Sequence, residues 1–272
     1  MENTAGQAAF PFGDGILGGH HALVCGASKG IGRAAAKALA QCGADVTVCA
    51  RSAELLDELC MELVGLGAGR ADALVLDLED IGAVEAAVTG LVASGPIHIL
   101  VNNAAGPPGG PLLGTALEDF EPAFKRHLHA AHTITRLVTP GMEQAGMGRI
   151  VNVISTSVRE PIDNIGLSNT LRGAMASWSK SLSRELPGCI TINNILPGFT
   201  DTDRLASLAT SISESTGSSV QDIQENWISG VPIGRLVDPR ETGIAIAFLC
   251  LPTSGAIRGV SLAVDGGRMR SI

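Results

Sequence analysis

Short apolar runs and amphipathic stretches alternate along this chain, joined by brief polar or glycine-bearing connections. Residues 22–25, Asp45–Ala50, 73–76, 97–101, 149–154, 191–195 and Ser261–Val264 are the apolar runs. Each has the length of a strand buried on both faces. Between them, 31–41, 54–66, 80–93, 117–145, 164–186 and 240–250 place apolar residues at helical spacing. Strand and helix in strict alternation predict an α/β fold, a doubly wound parallel sheet. No internal repeat and no linker divides the chain, so a single domain over 19–272 is expected, preceded by a loose, flexible tail at 1–18 rich in Gly, Ala and Pro. One stretch interrupts the alternation. The polar, Ser/Thr-rich 201–229 is long for a connection, and it follows a strand's carboxyl end, where open α/β sheets bind ligands. It reads as a lid or substrate-binding insertion rather than a decorative one.

The first strand runs straight into Gly26-Ala27-Ser28-Lys29-Gly30-Ile31-Gly32-Arg33 and then into an alanine-rich helix. A helix that opens after a glycine turn presents unpaired N–H groups and a partial positive charge, which together suit a pyrophosphate. Gly26, Gly30 and Gly32 let backbone approach phosphate and helix approach strand, while Ser28 and Ile31 complete the turn. This makes the sheet Rossmann-type, with a dinucleotide at its mouth. At the end of the second strand a carboxylate would hold an adenosine ribose hydroxyl. The chain has Arg51-Ser52 instead, with Lys29 in the glycine turn as a second cation. Two basic groups and no acid favour a 2′-phosphate, hence NADP(H) over NAD(H).

Bulk properties narrow the picture. The 272 residues are 45% hydrophobic, enough for one substantial core. A net charge of −8 with few aromatics argues against a nucleic-acid face, and no run is long enough for a membrane span. The start of the chain has no secretory pattern, so a cytoplasmic location is expected. Six scattered cysteines, with no Cys-x-x-Cys pair, read as buried thiols rather than a metal site. There is no tyrosine at all.

The spacing Gly26-x-x-x-Gly30-x-Gly32 resembles the short-chain dehydrogenase/reductase family, with Cys25 in the place of that family's threonine. The likeness continues through Asp77-Leu78, Asn102-Asn103-Ala104-Ala105-Gly106, Pro197-Gly198 with Thr202, Val231-Pro232-Ile233-Gly234-Arg235 and Val264-Asp265-Gly266-Gly267, so it spans 20–268. It implies that Asp77 and Leu78 meet the adenine. It also implies that Asn103, Ala104, Ala105 and Gly106 wall the cofactor cleft, and that Pro197, Gly198 and Thr202 touch the nicotinamide end. A small-molecule substrate and a homo-oligomer, tetramer or dimer, are further implications.

The family's chemistry rests on Asn, Ser, Tyr and Lys, and here the resemblance breaks. Ser155 matches the serine, but the tyrosine position holds Ser168 and the lysine position holds Arg172; the asparagine position falls on His127. Ser168 and Arg172 lie one turn apart on a helix, so both can face the cleft. Arg172 can hydrogen-bond a ribose or meet an anion, but guanidinium cannot relay a proton. General acid–base catalysis is worth ~10²–10⁴-fold, whereas alignment supplies ~7–11 kcal/mol, so hydride transfer survives the loss of a phenol. His127 is the first candidate for the missing proton, ahead of Asp163 and Glu160. Arg172, Arg204 and Arg159 are candidate contacts for an anionic substrate. The expected activity is oxidoreduction of a carbonyl/alcohol, an activated C=C bond or an imine. A redox-neutral lyase, decarboxylase or isomerase, or an inactive NADP(H)-binding homologue, are the alternatives.

Overall fold

The structure is a computed structural model, described here for residues 10–13 and 15–271. Seven strands form one parallel sheet: β1 (His21–Cys25), β2 (Asp45–Ala50), β3 (Ala71–Val75), β4 (Ile99–Asn102), β5 (Gly148–Val153), β6 (Ile190–Pro197) and β7 (Ser261–Val264). Their spatial order is β3-β2-β1-β4-β5-β6-β7, so strand order reverses between β1 and β4. The crevice outside the carboxyl ends at that reversal is where such sheets bind ligands.

Alternation along the strands sends side chains to two cores. Val24, Val48, Val101 and Val151 face α1 (Gly30–Gln41), α2 (Ala53–Leu66) and α9 (Pro239–Cys250). Leu23, Cys25, Leu100 and Ile150 face α3 (Ile81–Ala93), α5 (Ala130–Gln144) and α6 (Gly166–Glu185). Burial on both faces is why the central strands read as continuous apolar runs in the sequence.

A polar row crosses this apolar sheet. The side-chain amide of Asn102 donates to Asn152 at 2.9 Å, Asn152 to Asn194 at 3.0 Å, and Asn194 to the Ser261 hydroxyl at 3.1 Å. The four residues are register partners on β4, β5, β6 and β7. Each buried amide is satisfied by its neighbour.

One expectation changes, and two stretches gain internal structure. The chain packs before residue 19: Leu17 is fully buried, its N–H donates to the Cys42 carbonyl at 2.8 Å, and Phe10 and Phe12 lie against the same core. A loose tail therefore does not extend to 18, and residues 1–9 lie outside the described residues. Stretch 117–145 is mostly helical as expected, built from α4 (Phe120–Phe124), a π-helical turn over Lys125–His129, then α5. Stretch 201–229 folds into α7 (Asp203–Thr216) and α8 (Val220–Ser229), anchored by buried Ala209 and Ile223. Among the described residues no helix is long and apolar enough to cross a membrane.

Candidate active site

The glycine turn, Asp77-Leu78, Asn102 to Gly106, Ser155, Pro197-Gly198 and Asp265 to Gly267 each sit at or just beyond a strand's carboxyl end. Gly26 leaves β1 at φ +59, and a Cβ there would lie 2.6 Å from the Asn103 carbonyl oxygen. A Cβ on Gly32 would lie 2.2 Å from the Gly26 carbonyl. Only hydrogen fits at both places. Asn103, just after β4, closes the turn: its amide donates to the carbonyls of Gly26 at 3.0 Å and Cys25 at 3.3 Å. The first turn of α1 has no side-chain cap and no acidic residue. Its N–H groups are therefore left to an anion from outside the chain, and a pyrophosphate fits this cradle. Ile31 packs half-buried on the core, and the Ser28 carbonyl accepts from Arg33, a contact the sequence did not announce.

At the adenosine end the cations are not idle. Lys29 pairs with Asp203 of α7 at 2.9 Å, and the Arg51 guanidinium lies 3.7 Å from Asp77. The sequence suggested two unopposed cations; each instead faces a carboxylate. Asp77 also accepts from the Glu79 N–H at 3.0 Å, which fixes the turn carrying Leu78. Ser52 precedes α2 and its side chain caps nothing, which leaves its hydroxyl to a ligand. The Thr202 methyl would be 3.2 Å from a Cβ on Gly30, so the start of α7 rests over the glycine turn.

At the other end, β5 delivers Ser155. Its Oγ accepts from the Ser157 N–H at 3.0 Å, leaving its proton free to be donated. Ser168 sits half-buried in the first turn of α6, one turn before Arg172. The Arg172 guanidinium is buried and donates to the Val153 carbonyl at 2.8 Å, beside Gly106. Burial first, and then the charge of Arg204, brings its pKa down to about 10. Gly198, after Pro197 at the end of β6, donates to the Val264 carbonyl, and it packs so closely on Asp265 that a Cβ would be 2.7 Å away.

His127, the first candidate for the proton in the sequence, is brought to the cleft by the π-helical turn with one ring nitrogen already engaged. Its Nε2 lies 2.9 Å from the Ala105 carbonyl, which can only accept, so the ring proton sits there. Desolvation, seconded by Arg172, holds its pKa well below the ordinary histidine value, so the ring is neutral near pH 7. Glu160 fares no better as an acid: backbone N–H groups of Ser271 and Arg270 hold its carboxyl ionised. Asp163 is exposed. Three neighbours went unnoticed in the sequence because only folding assembles them. Phe199 stacks on Trp227 of α8 with ring centroids 5.2 Å apart, and Arg268 lies over the Phe199 ring at 4.8 Å. Among the described residues no cluster of His, Cys, Asp or Glu could hold a metal.

Comparison with known proteins agrees with this geometry. Residues 26–268 match the family model described as enoyl-(acyl carrier protein) reductase. The chain is 34% identical over 254 residues to the 3-oxoacyl-(acyl carrier protein) reductase of Vibrio cholerae, covering 92% of this chain and 98% of that one. Its fold is similar to the L-sorbose reductase of Gluconobacter frateurii, solved with NADPH and L-sorbose, at TM-score 0.88 and 27% identity over 96% of this chain and 100% of that one. It is also similar to an actinorhodin polyketide ketoreductase variant solved with NADPH, at TM-score 0.86 and 32% identity over 93% and 98% of the two chains. With the glycine cradle, the parallel sheet and a match of this extent in place, the chain belongs to the short-chain dehydrogenase/reductase family.

Proposed function

We propose that this protein is an NADP(H)-dependent oxidoreductase with a non-standard active site. The observation that carries the reading is the glycine cradle locked by Asn103 at the sheet's reversal point, with the first-turn amides of α1 uncapped. The NADPH held by the similar solved structures supports it. Gly26, Gly30 and Gly32 face the pyrophosphate with Ser28 and Ile31. Arg51 and Ser52 take the 2′-phosphate, helped by Lys29 once it leaves Asp203. Asp77 and Leu78 border the adenine, Ala104 to Gly106 the cleft wall, and Pro197, Gly198 and Thr202 the nicotinamide end. When bound, NADP(H) supplies or accepts a hydride.

The chain's own contribution at the reacting end is orientation and charge. Ser155, one lone pair already engaged by the Ser157 N–H, donates a hydrogen bond to the substrate oxygen. Ser168 offers a second hydroxyl where a phenol would stand. Arg172 holds fixed positive charge beside the oxygen that gains negative charge, an arrangement worth far more in a dry cleft than in water. Neutral His127 fixes the wall by holding Ala105. No phenolic acid is present, so the proton comes from water. Carbonyls, enones and imines are the substrate classes this tolerates, since an enone or imine needs less acid assistance at the reacting atom. Helices α7 and α8 act as the lid.

The test is NADPH with a panel of ketones, enones and imines, followed at the nicotinamide absorbance band. Oxidation with any member, falling ~10²–10³-fold in Ser155→Ala, supports the proposal. Substrate conversion with unchanged nicotinamide moves the protein to the redox-neutral reading. NADPH binding with no conversion leaves a binding protein. We further propose a cytoplasmic homo-oligomer, tetramer or dimer. The six free thiols and the exposed Phe248 and Leu262 support this, and sedimentation and cell fractionation test it.

A further inference from the structure

Three successive residues of the loop after β4 are each met by a basic side chain. His127 bonds the Ala105 carbonyl, Arg172 lies beside Gly106, and Arg204 on the first turn of α7 donates to the Pro107 carbonyl at 2.8 Å. Elsewhere this chain shows what a purely structural buried arginine looks like. Arg149 donates to four carbonyls, of Leu251, Gly148, Cys189 and Pro252. Half-buried Arg258 donates to three, of Ser183, Pro187 and Leu186. Arg172 is 9% exposed yet donates only to Val153, and its buried Nε has no partner.

Charge compounds the deficit. None of the ion pairs among the described residues includes Arg172 or Arg204. The charge felt by Arg172 is the like charge of Arg204. Neutral His127 does not relieve it. A carbonyl can satisfy an N–H but cannot neutralise a guanidinium, and two guanidiniums kept together in a protein of net charge −8 call for a counter-charge. The pyrophosphate belongs at the glycine turn, on the far side of the reversal from β5, and is already served by the α1 amides.

We propose that the counter-charge is carried by the substrate, as a carboxylate or phosphate seated between Arg172 and Arg204. This rests on the reading of the cleft as that of an NADP(H)-dependent oxidoreductase. Arg172 bonds Val153, two residues before Ser155, so the anion sits within a few bonds of the reacting carbon. The class is therefore an oxo acid, a hydroxy acid or a phosphorylated ketone. Because Arg204 rides on α7 and already bonds Pro107, the same anion strengthens the hold of the lid on the loop after β4. The guanidinium forks match both oxyanions.

Calorimetric titration distinguishes the sources. Acetoacetate, levulinate and dihydroxyacetone phosphate are each compared with methyl acetoacetate, methyl levulinate and dihydroxyacetone, on wild type and Arg204→Gln, with and without NADP+. The expected result is at least one anion binding tenfold or more tighter than its uncharged counterpart. Arg204→Gln should erase that preference while NADPH affinity stays as in wild type. Preference confined to the first two pairs identifies a carboxylate, and confined to the third a phosphate. Equal affinity within every pair, no binding of any probe, or a preference untouched by Arg204→Gln overturns the inference. NADPH is titrated first: failure there removes the cofactor reading, whereas normal NADPH binding without anion preference removes this inference alone.

Discussion

Gly32 and His127 show how much a single position settles here. A methyl group on Gly32 would collide with the Gly26 carbonyl, and that carbonyl is held in place, with its neighbour on Cys25, by the Asn103 amide. Gly32→Ala should therefore cost about 1–3 kcal/mol by overpacking and also widen the phosphate cradle. A melting temperature lowered by several degrees, with NADPH fluorescence enhancement lost, is the expected result; a variant that melts and binds as wild type contradicts it. His127 makes its mark through pH. Its folded pKa lies below the unfolded value of 6.5, so the unfolded chain binds more protons as the medium acidifies. Stability is full above pH 6.5 and falls from there towards the folded value. Half-buried His21 and His98 are shifted the same way, chiefly by desolvation. Melting scans between pH 7.5 and 5 should show a decline in wild type, and a shallower one in His127→Asn. The sequence showed that an unusual residue stood at 127, but its neutrality comes from burial and from Arg172, neither of which is local information.

At the scale of elements, the glycine turn and α7 meet where Lys29 and Asp203 join. Both side chains are largely exposed, so the contact adds little to stability, yet it competes with the 2′-phosphate for Lys29. Asp203→Asn should leave melting unchanged and tighten NADPH binding a few-fold at low salt, an effect that fades above 0.5 M salt as screening grows (Debye length of roughly 3 Å at 1 M). Arg51→Ala should weaken NADPH ~10-fold or more and NADH hardly at all, which fluorescence titration reads directly. Most elements were legible in the sequence to within a residue or two, because a strand buried on both faces leaves an unbroken apolar run. The exceptions have physical causes. A single π-helical turn leaves the helix continuous and shifts the apolar spacing by about one residue, so nothing in the letters of 117–145 marks its place. Stretch 201–229 looked featureless because α7 and α8 bury few side chains, Ala209 and Ile223 among them. Leu17 was lost to the tail because one leucine among glycines shows no period, although it fills a gap beside Cys42.

For the molecule as a whole, the glycine turn and the reversal between β1 and β4 put the candidate residues at one rim, as the order of motifs implied. The row from Asn102 through Asn152 and Asn194 to Ser261 was not foreseen, since its members are isolated polar letters inside apolar strands and only the register aligns them. Asn152→Leu should strand the Asn102 donor and the Asn194 acceptor, at about 1–3 kcal/mol each, and chemical denaturation would measure it. Replacing all three asparagines by apolar residues should cost much less than the sum of the single changes, because no orphan remains. That difference has a historical meaning. A lineage drifting from the amide row to an apolar one must pass through intermediates that fold worse than either end, so the row is a catch on the sheet's evolution that single substitutions cannot release.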